Sequence, residues 1–193
     1  MAVMTEQRLL PLDRPMTVAD LEQTPHDGQR YELDDGVLVV SAAPIWIHQV
    51  VLGRLTAALI AACTAEFEVA PGPGIEVSDI KYWIPDLAVV HAATLALGRT
   101  NVMAPPALVV EIASPSTAHF DRNRKKSAYA EFGISSYWIV DPDPERPSIT
   151  EYRLSGAEYH EAMTASGPDP FVTDTPFPVQ IIPADLVSGP WRR

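Results

Sequence analysis

The chain holds one cysteine, Cys63, so no disulfide can form within it. That residue falls in an apolar helical stretch and reads as a small core side chain rather than a reactive thiol. No Cys or His spacing suggests a structural zinc site, and His26, His91, His119 and His160 form no ligand pattern with one another. Long apolar runs are missing too. None approaches the ~20 residues of a membrane span. The first fifteen residues lack the continuous apolar stretch of a secretory signal, so no membrane is expected and the cytoplasm is the expected compartment. There is no phosphate-binding glycine loop, and Ser114 and Ser116 have no glycine-bracketed elbow, which disfavours serine-hydrolase chemistry. Positive charge is scarce: 14 Lys and Arg stand against 25 Asp and Glu, a net charge of −11. That balance argues against tight nonspecific binding of duplex nucleic acid. It leaves room for a local basic groove, or for a metal that inverts the local field.

What is present suits one domain with a substantial core, since 193 residues bury enough surface for it. Residues 1–15 read as a flexible leader and 16–193 as a single domain. Thr17, followed three residues later by Asp20, caps a short helix. Tyr31-Glu32-Leu33 and Val37 to Val40 flank Asp34-Asp35-Gly36, a hairpin signal. A helix is expected from about His48 to Thr64, where Val51, Leu55 and Leu59 recur at helical spacing. Phe67 to Val77 reads as one strand bent at Pro71-Gly72-Pro73-Gly74, and Trp83 to Val90 as the next. Residues 107–113 form a strand buried on both faces, 118–132 a helix stopped by Gly133, and 136–141 a further strand. That alternation fits a parallel crossover. An antiparallel pair follows around Ser155-Gly156, then a proline-rich tail with a short helix near Pro183. The class is α/β (α+β): a mixed sheet with helices packed on it.

Four residues interrupt this pattern in a chemically informative way. Glu111 stands inside Leu108-Val109-Val110-Glu111-Ile112, where an acid needs a partner to stay charged. Asp86 follows Pro85 at the head of an apolar run, and Glu32 lies within the hairpin. Lys125 and Tyr129 sit one helical turn apart and share a face. A plainer reading stands beside each. Asp86 can be a turn acid accepting backbone donors, and Glu111 a salt-bridged acid paired with Arg122, Arg124 or Lys125. Glu32 can be a solvent-facing strand residue, and the basic stretch around Lys125 a solvated helix face. His48, alone at a helix start, is more often structural than a ligand.

Taken in order, these segments resemble a known family. Tyr31-Glu32-Leu33-Asp34-Asp35-Gly36, His48 opening a long helix, Pro85-Asp86-Leu87, and Val109-Val110-Glu111-Ile112 with Ser114-Pro115-Ser116-Thr117 carry the first part of the likeness. Asp121-Arg122 with Lys125 and Tyr129, then Gly133-Ile134 and Tyr137-Trp138-Ile139-Val140-Asp141-Pro142, carry the rest. The set is similar to the Uma family of restriction endonuclease-like proteins, assigned to the PD-(D/E)XK nuclease superfamily. The resemblance implies a restriction-endonuclease-like mixed β-sheet core flanked by helices. It implies Asp86, Glu111 and the Ile112 carbonyl as ligands of Mg²⁺ or Mn²⁺, Lys125 as the catalytic lysine and Glu32 as an additional acid. His48 and Tyr129 would be supporting donors. One departure matters: the superfamily's Glu-x-Lys pattern would put lysine at position 113, where this chain has Ala113, and Lys125 would take its place. The implied activity is metal-dependent endonucleolytic hydrolysis of phosphodiester bonds in DNA. A homodimer would suit cutting both strands, with Trp138 or the final hairpin supplying contacts. Two other readings stay open: a non-catalytic dimeric binding or regulatory module of the same fold, and hydrolysis of a smaller phosphoester.

Overall fold

The computed structural model describes residues 14–25, 27–41, 43–95, 100–113 and 120–189, the last segment with side chains from residue 124 onward. Most of the expected leader, the Ser114-Pro115-Ser116-Thr117 cap and the start of the following helix lie outside these residues.

The chain begins with α1 (Val18–Leu21), whose Thr17 backbone N–H and hydroxyl both reach the Asp20 carboxylate at 2.8 Å. β1 (Arg30–Asp34) and β2 (Val37–Ser41) form the expected hairpin. Its turn needs positive φ at both Asp35 and Gly36, 49° and 79°, the pattern that Asp-Gly supplies. Gly36 is required twice over, because a Cβ there would lie 2.3 Å from Cβ of Pro15. β5 (Lys81–Trp83) and β4 (Ile75–Ser78) complete a four-stranded sheet in the order β2-β1-β5-β4.

A six-stranded sheet forms the body, in the order β10-β9-β8-β7-β6-β3. Its strands are β3 (Phe67–Pro71), β6 (Leu87–His91), β7 (Leu108–Ile112), β8 (Ser136–Asp141), β9 (Ser148–Ser155) and β10 (Glu158–Ser166). β7 and β8 run parallel, joined by a crossover that contains α3 (Phe120–Phe132), while the other neighbouring pairs are antiparallel. α3 ends at Gly133, with φ 87° and the Ile134 N–H reaching back to the Tyr129 carbonyl at 3.1 Å.

Two expected strands are each divided between the sheets. Phe67 to Val77 is β3 in the large sheet and β4 in the small one, separated at Gly72-Pro73-Gly74. Trp83 to Val90 is likewise β5 and β6, with Ile84-Pro85-Asp86 as the step between them. Proline donates no N–H to a ladder, so both crossings occur where pairing must lapse. This division places Asp86 on the step itself rather than inside a strand.

Strand alternation sorts the core into two faces. Leu87, Val89, Leu108, Val110, Trp138 and Val140 pack with Val51, Leu55 and Leu59 of α2 (Trp46–Ala62). The burial of His48, Val51, Leu55 and Leu59 marks the stripe that α2 turns inward. Truncating Leu55, which is fully buried, would cost about 2–5 kcal/mol. Ala88, Val90, Val109 and Tyr137 pack on the other face with Tyr129 of α3 and Ile134. Trp138, expected as a possible dimer contact, is fully buried against Phe171 at 4.8 Å between rings, so it cannot serve at an interface. The proline-rich tail holds a hairpin that sequence patterning missed, β11 (Phe171–Thr173) with β12 (Val179–Ile181), before α4 (Pro183–Val187). Those strands are three residues long, too short to show alternation.

Candidate active site

The site lies where the two sheets meet. Leu87 pairs with Val110 in the antiparallel β6–β7 ladder, and Asp86, just before that ladder, accepts the N–H of Ile112, the neighbour of Glu111, at 2.8 Å. Glu111 alternates with Val110 and so takes the Val109 side, which α3 covers. Glu32 arrives from the small sheet, where its Oε1 accepts the Ile84 N–H at 2.8 Å, two residues before Asp86. The four residues expected from sequence therefore converge from β1, the β5–β6 step, β7 and α3.

Asp86 is 3% exposed, and both of its oxygens are engaged. Oδ2 accepts from Nε2 of His48 at 3.0 Å and from the Ile112 N–H at 2.8 Å. Oδ1 pairs with a guanidinium nitrogen of Arg30 at 2.8 Å. Burial alone would push this carboxyl up, but the His48 contact, the Ile112 N–H and the Arg30 charge together hold it below the usual carboxylate range. His48, read from sequence as more often structural, is a buried partner of the acid. Among the described residues its Nδ1 has no hydrogen-bond partner.

Around Glu111 the balance tips the other way. Oε1 accepts from the Tyr129 hydroxyl at 2.6 Å and from Lys125 Nζ at 3.2 Å. Among the described residues, the hydrogen bonds to this side chain fall on Oε1. Burial pushes the carboxyl up. The Lys125 charge offsets part of this, and the charges of Asp86 and Glu32 raise it further. Lys125 Nζ also lies 3.2 and 3.3 Å from the two Glu32 oxygens. Burial works against its ammonium, but Glu111 and Glu32 outweigh burial and raise its pKa above the usual lysine value. Burial and the same two acids keep the Tyr129 hydroxyl protonated well above its ordinary range. Glu32 is 5% exposed, so the solvent-facing reading does not describe it. The salt-bridged reading of Glu111 is realised with Lys125, and the same lysine joins it to a second acid. Of Ile112, the observed contact is made by the N–H; the carbonyl role implied by resemblance is a separate matter.

Sequence reasoning missed Arg30. It stands two residues before Glu32 on β1, hence on the same strand face, and that spacing was the available signal. Beside the acids a shallow, open depression is lined by Glu32, Leu33, Asp34, Val39, Trp83, Arg124, Lys125 and Ala128. Its charges are mixed, Glu32 and Asp34 against Arg124 and Lys125, so it is neither a basic groove nor a purely acidic rim. Arg124 is ion-paired with Asp34.

Hard oxygen donors of this kind suit Mg²⁺ or Mn²⁺ rather than a soft metal. Among the described residues no three His, Cys, Asp or Glu side chains converge in metal-ligand geometry. Two carboxylates remain, which is the usual protein share for Mg²⁺, the balance being water and substrate oxygens. Burial first, then the charges of Asp86 and Glu32, push Glu111 up, and a divalent cation would offset both, so the residues present fit such an ion.

A mixed sheet covered by helices, with acids and a helix lysine gathered at the junction with a smaller sheet, places this protein among those with a nuclease-like fold. A crystal structure described as “a putative nuclease belonging to DUF820” from Anabaena variabilis ATCC 29413 is similar to it, with a TM-score of 0.71 and 16% identity over 90% of this chain and 98% of that one. At that identity the likeness is one of fold. The Uma2 family model, described as “Putative restriction endonuclease”, matches residues 18–184, and the chain belongs to that family. No curated protein matches it. No helix among the described residues is long and apolar enough to cross a membrane.

Proposed function

We propose that the protein is a metal-dependent endonuclease that hydrolyses phosphodiester bonds in DNA. The observation that carries this reading is that Asp86 is held by the N–H of Ile112, next to Glu111, while Lys125 bridges Glu111 and Glu32. Family membership supports a nuclease. Asp86, Glu111 and the Ile112 carbonyl would hold a Mg²⁺ or Mn²⁺ ion. When bound, it would polarise a phosphoryl oxygen and acidify a water.

The chain's own residues would do the rest. His48 and the Ile112 N–H fix the rotamer of Asp86 through Oδ2. Tyr129, protonated throughout the neutral range, fixes Glu111. Lys125, always charged here, would orient the attacking water or meet the negative charge that develops on the phosphate. Glu32 holds that ammonium in place by accepting from it with both oxygens. The strand lysine absent at Ala113 is thus replaced by one that reaches Glu111 from α3. A homodimer would bring two such sites to the two strands of a duplex.

A second reading, a non-catalytic binding module of the same fold, draws on one specific observation. Every carboxylate of the cluster already has a protein cation beside it, in a chain of net charge −11. Mn²⁺ calorimetry and cleavage assays on single- and double-stranded DNA separate the two. The endonuclease reading expects stoichiometric Mn²⁺ binding that Asp86→Ala abolishes. It also expects Lys125→Met to keep the ion while losing at least about a hundredfold in cleavage rate. Absence of Mn²⁺ binding and of cleavage under all these conditions would establish the non-catalytic module.

A further inference from the structure

We propose that Arg30 is a displaceable counter-ion. It pairs with Oδ1 of Asp86, gives way to a divalent cation at that oxygen, and is then free to hold a substrate phosphate. This rests on the endonuclease reading above. Oδ2 of Asp86 already accepts from His48 at 3.0 Å and from the Ile112 N–H at 2.8 Å, both from elements built into the core. Among the described residues Oδ1 is met by Arg30 alone, at 2.8 Å, and so keeps a lone pair for a cation. An ion on Oδ1 would stand beside the guanidinium, and the repulsion between the two positive charges would drive Arg30 off.

Arg30 is the partner able to leave. Its side chain is 27% exposed, against 6% for His48 and 4% for Asp86. Its contact with the Ile84 carbonyl is long, at 3.4 Å. Lys125 stands in a different position: its ammonium reaches both oxygens of Glu32 as well as Glu111, so it stays anchored if Glu111 turns to a metal. A guanidinium released at the mouth of the site keeps its charge and its planar fork, the geometry that matches two phosphate oxygens. Asp86 would then exchange one positive partner for another, so its buried charge is never left uncompensated.

The test is Mn²⁺ calorimetry on the full chain and its Arg30→Ala, Arg30→Lys and Asp86→Ala variants at one salt concentration, with unfolding followed in chelator to show that each is folded. Arg30→Ala is expected to bind Mn²⁺ about tenfold more tightly, because a competing unit charge has left the ligand oxygen. Arg30→Lys keeps that charge and should stay within about threefold of the unmodified chain. Asp86→Ala should not bind. Should Arg30→Ala fail to fold, Arg30→Gln, which keeps length and a donor but no charge, carries the same expectation.

A purely structural salt bridge predicts the reverse. Its loss would loosen Asp86 and leave Mn²⁺ affinity unchanged or weaker. That result, with Asp86→Ala still unable to bind, overturns the counter-ion role and leaves the metal site standing. Uptake by Arg30→Ala but not by the unmodified chain supports the proposal. No binding by either overturns it together with the endonuclease reading. The phosphate role has its own readout, anisotropy of a labelled DNA duplex with Mn²⁺ in a Lys125→Met background. Adding Arg30→Ala there should weaken binding about tenfold, and unchanged binding would remove that role.

Discussion

Two strands of the six-stranded sheet each carry a glutamate into apolar surroundings, and the surroundings answer them differently. Glu151 on β9 is 1% exposed. Its Oε1 accepts from Arg153 Nε at 3.0 Å and from Ser136 Oγ at 3.3 Å, while Ser136 Oγ accepts the Trp138 indole N–H at 3.1 Å. Arg153 runs on to Thr173 Oγ1 at 3.0 Å and Asp174 at 2.9 Å, which ties β9 to the end of β11. The Ser136 contact fastens β9 to β8 and the Arg153 contacts fasten it to β11, and among the described residues the acid faces no second buried carboxylate. Glu111 on β7 shares its lysine with Glu32 and feels the charge of Asp86, so burial and like charge both push its carboxyl up. The first is a structural lock, and the second is a cluster whose repulsion Lys125 offsets only in part, the electrostatics on which the proposed site rests. A buried acid in a strand is therefore not by itself a sign of a metal centre; a crowd of them around one lysine is a much stronger one.

The contrast can be pressed hardest at Glu111. Glu111→Gln should lower Mn²⁺ affinity at least about a hundredfold, since a ligand charge is lost while the Tyr129 contact can persist. The same change should leave the metal-free protein as stable as before, or up to about 1 kcal/mol more stable at neutral pH. The sign follows from the raised pKa: the group favours folding below its unfolded pKa, and that contribution is lost as pH rises through the folded value. Calorimetry and urea unfolding in chelator would check both halves. A variant that lost stability instead would place Glu111 with Glu151.

At Glu151 the expected pattern is inverted. Glu151→Gln should cost about 1–2 kcal/mol by leaving the Arg153 and Ser136 contacts weakened, with Mn²⁺ affinity unchanged. Any loss of Mn²⁺ binding there would erase the distinction between the two acids. A smaller effect is expected in the acid dependence of Asp86. Its folded pKa is lowered, so its contribution is present above the unfolded value near 3.8 and is lost as pH falls through the folded one. The stability difference between the unmodified chain and Asp86→Asn should therefore be largest at neutral pH and shrink steadily below about pH 3.8. A difference that stays constant to low pH would mean that the Arg30 and His48 contacts contribute nothing net.

Much of the frame was legible beforehand. Val51, Leu55 and Leu59 announced α2 because helix burial recurs at 3.6 residues, and Asp35-Gly36 announced its hairpin because few residues tolerate positive φ. Glu111 stood out because an acid breaks an otherwise apolar strand. Other features were hidden for equally physical reasons. Pro85 suggested an entry point, but nothing local indicated that the residues on either side of it belong to different sheets. Trp138 looked available because a strand residue between Tyr137 and Ile139 can face either way, and only the packing of Phe171 against it decides. Arg30 carried only the weak signal of its spacing from Glu32, since an arginine opening a strand is ordinarily a solvated residue.

The sequence by itself determined the class of fold, the absence of disulfides, and which acids and which lysine could be functional, because patterning, turn chemistry and buried charge are written residue by residue. Tertiary structure alone decided that Asp86 accepts the N–H of Ile112 beside Glu111, that Lys125 spans two acids 93 and 14 residues away, and that Arg30 and His48 divide the oxygens of Asp86 between them. Those relations depend on register and on the meeting of two sheets. Such long-range pairings bring distant residues together, and no local rule of spacing encodes them.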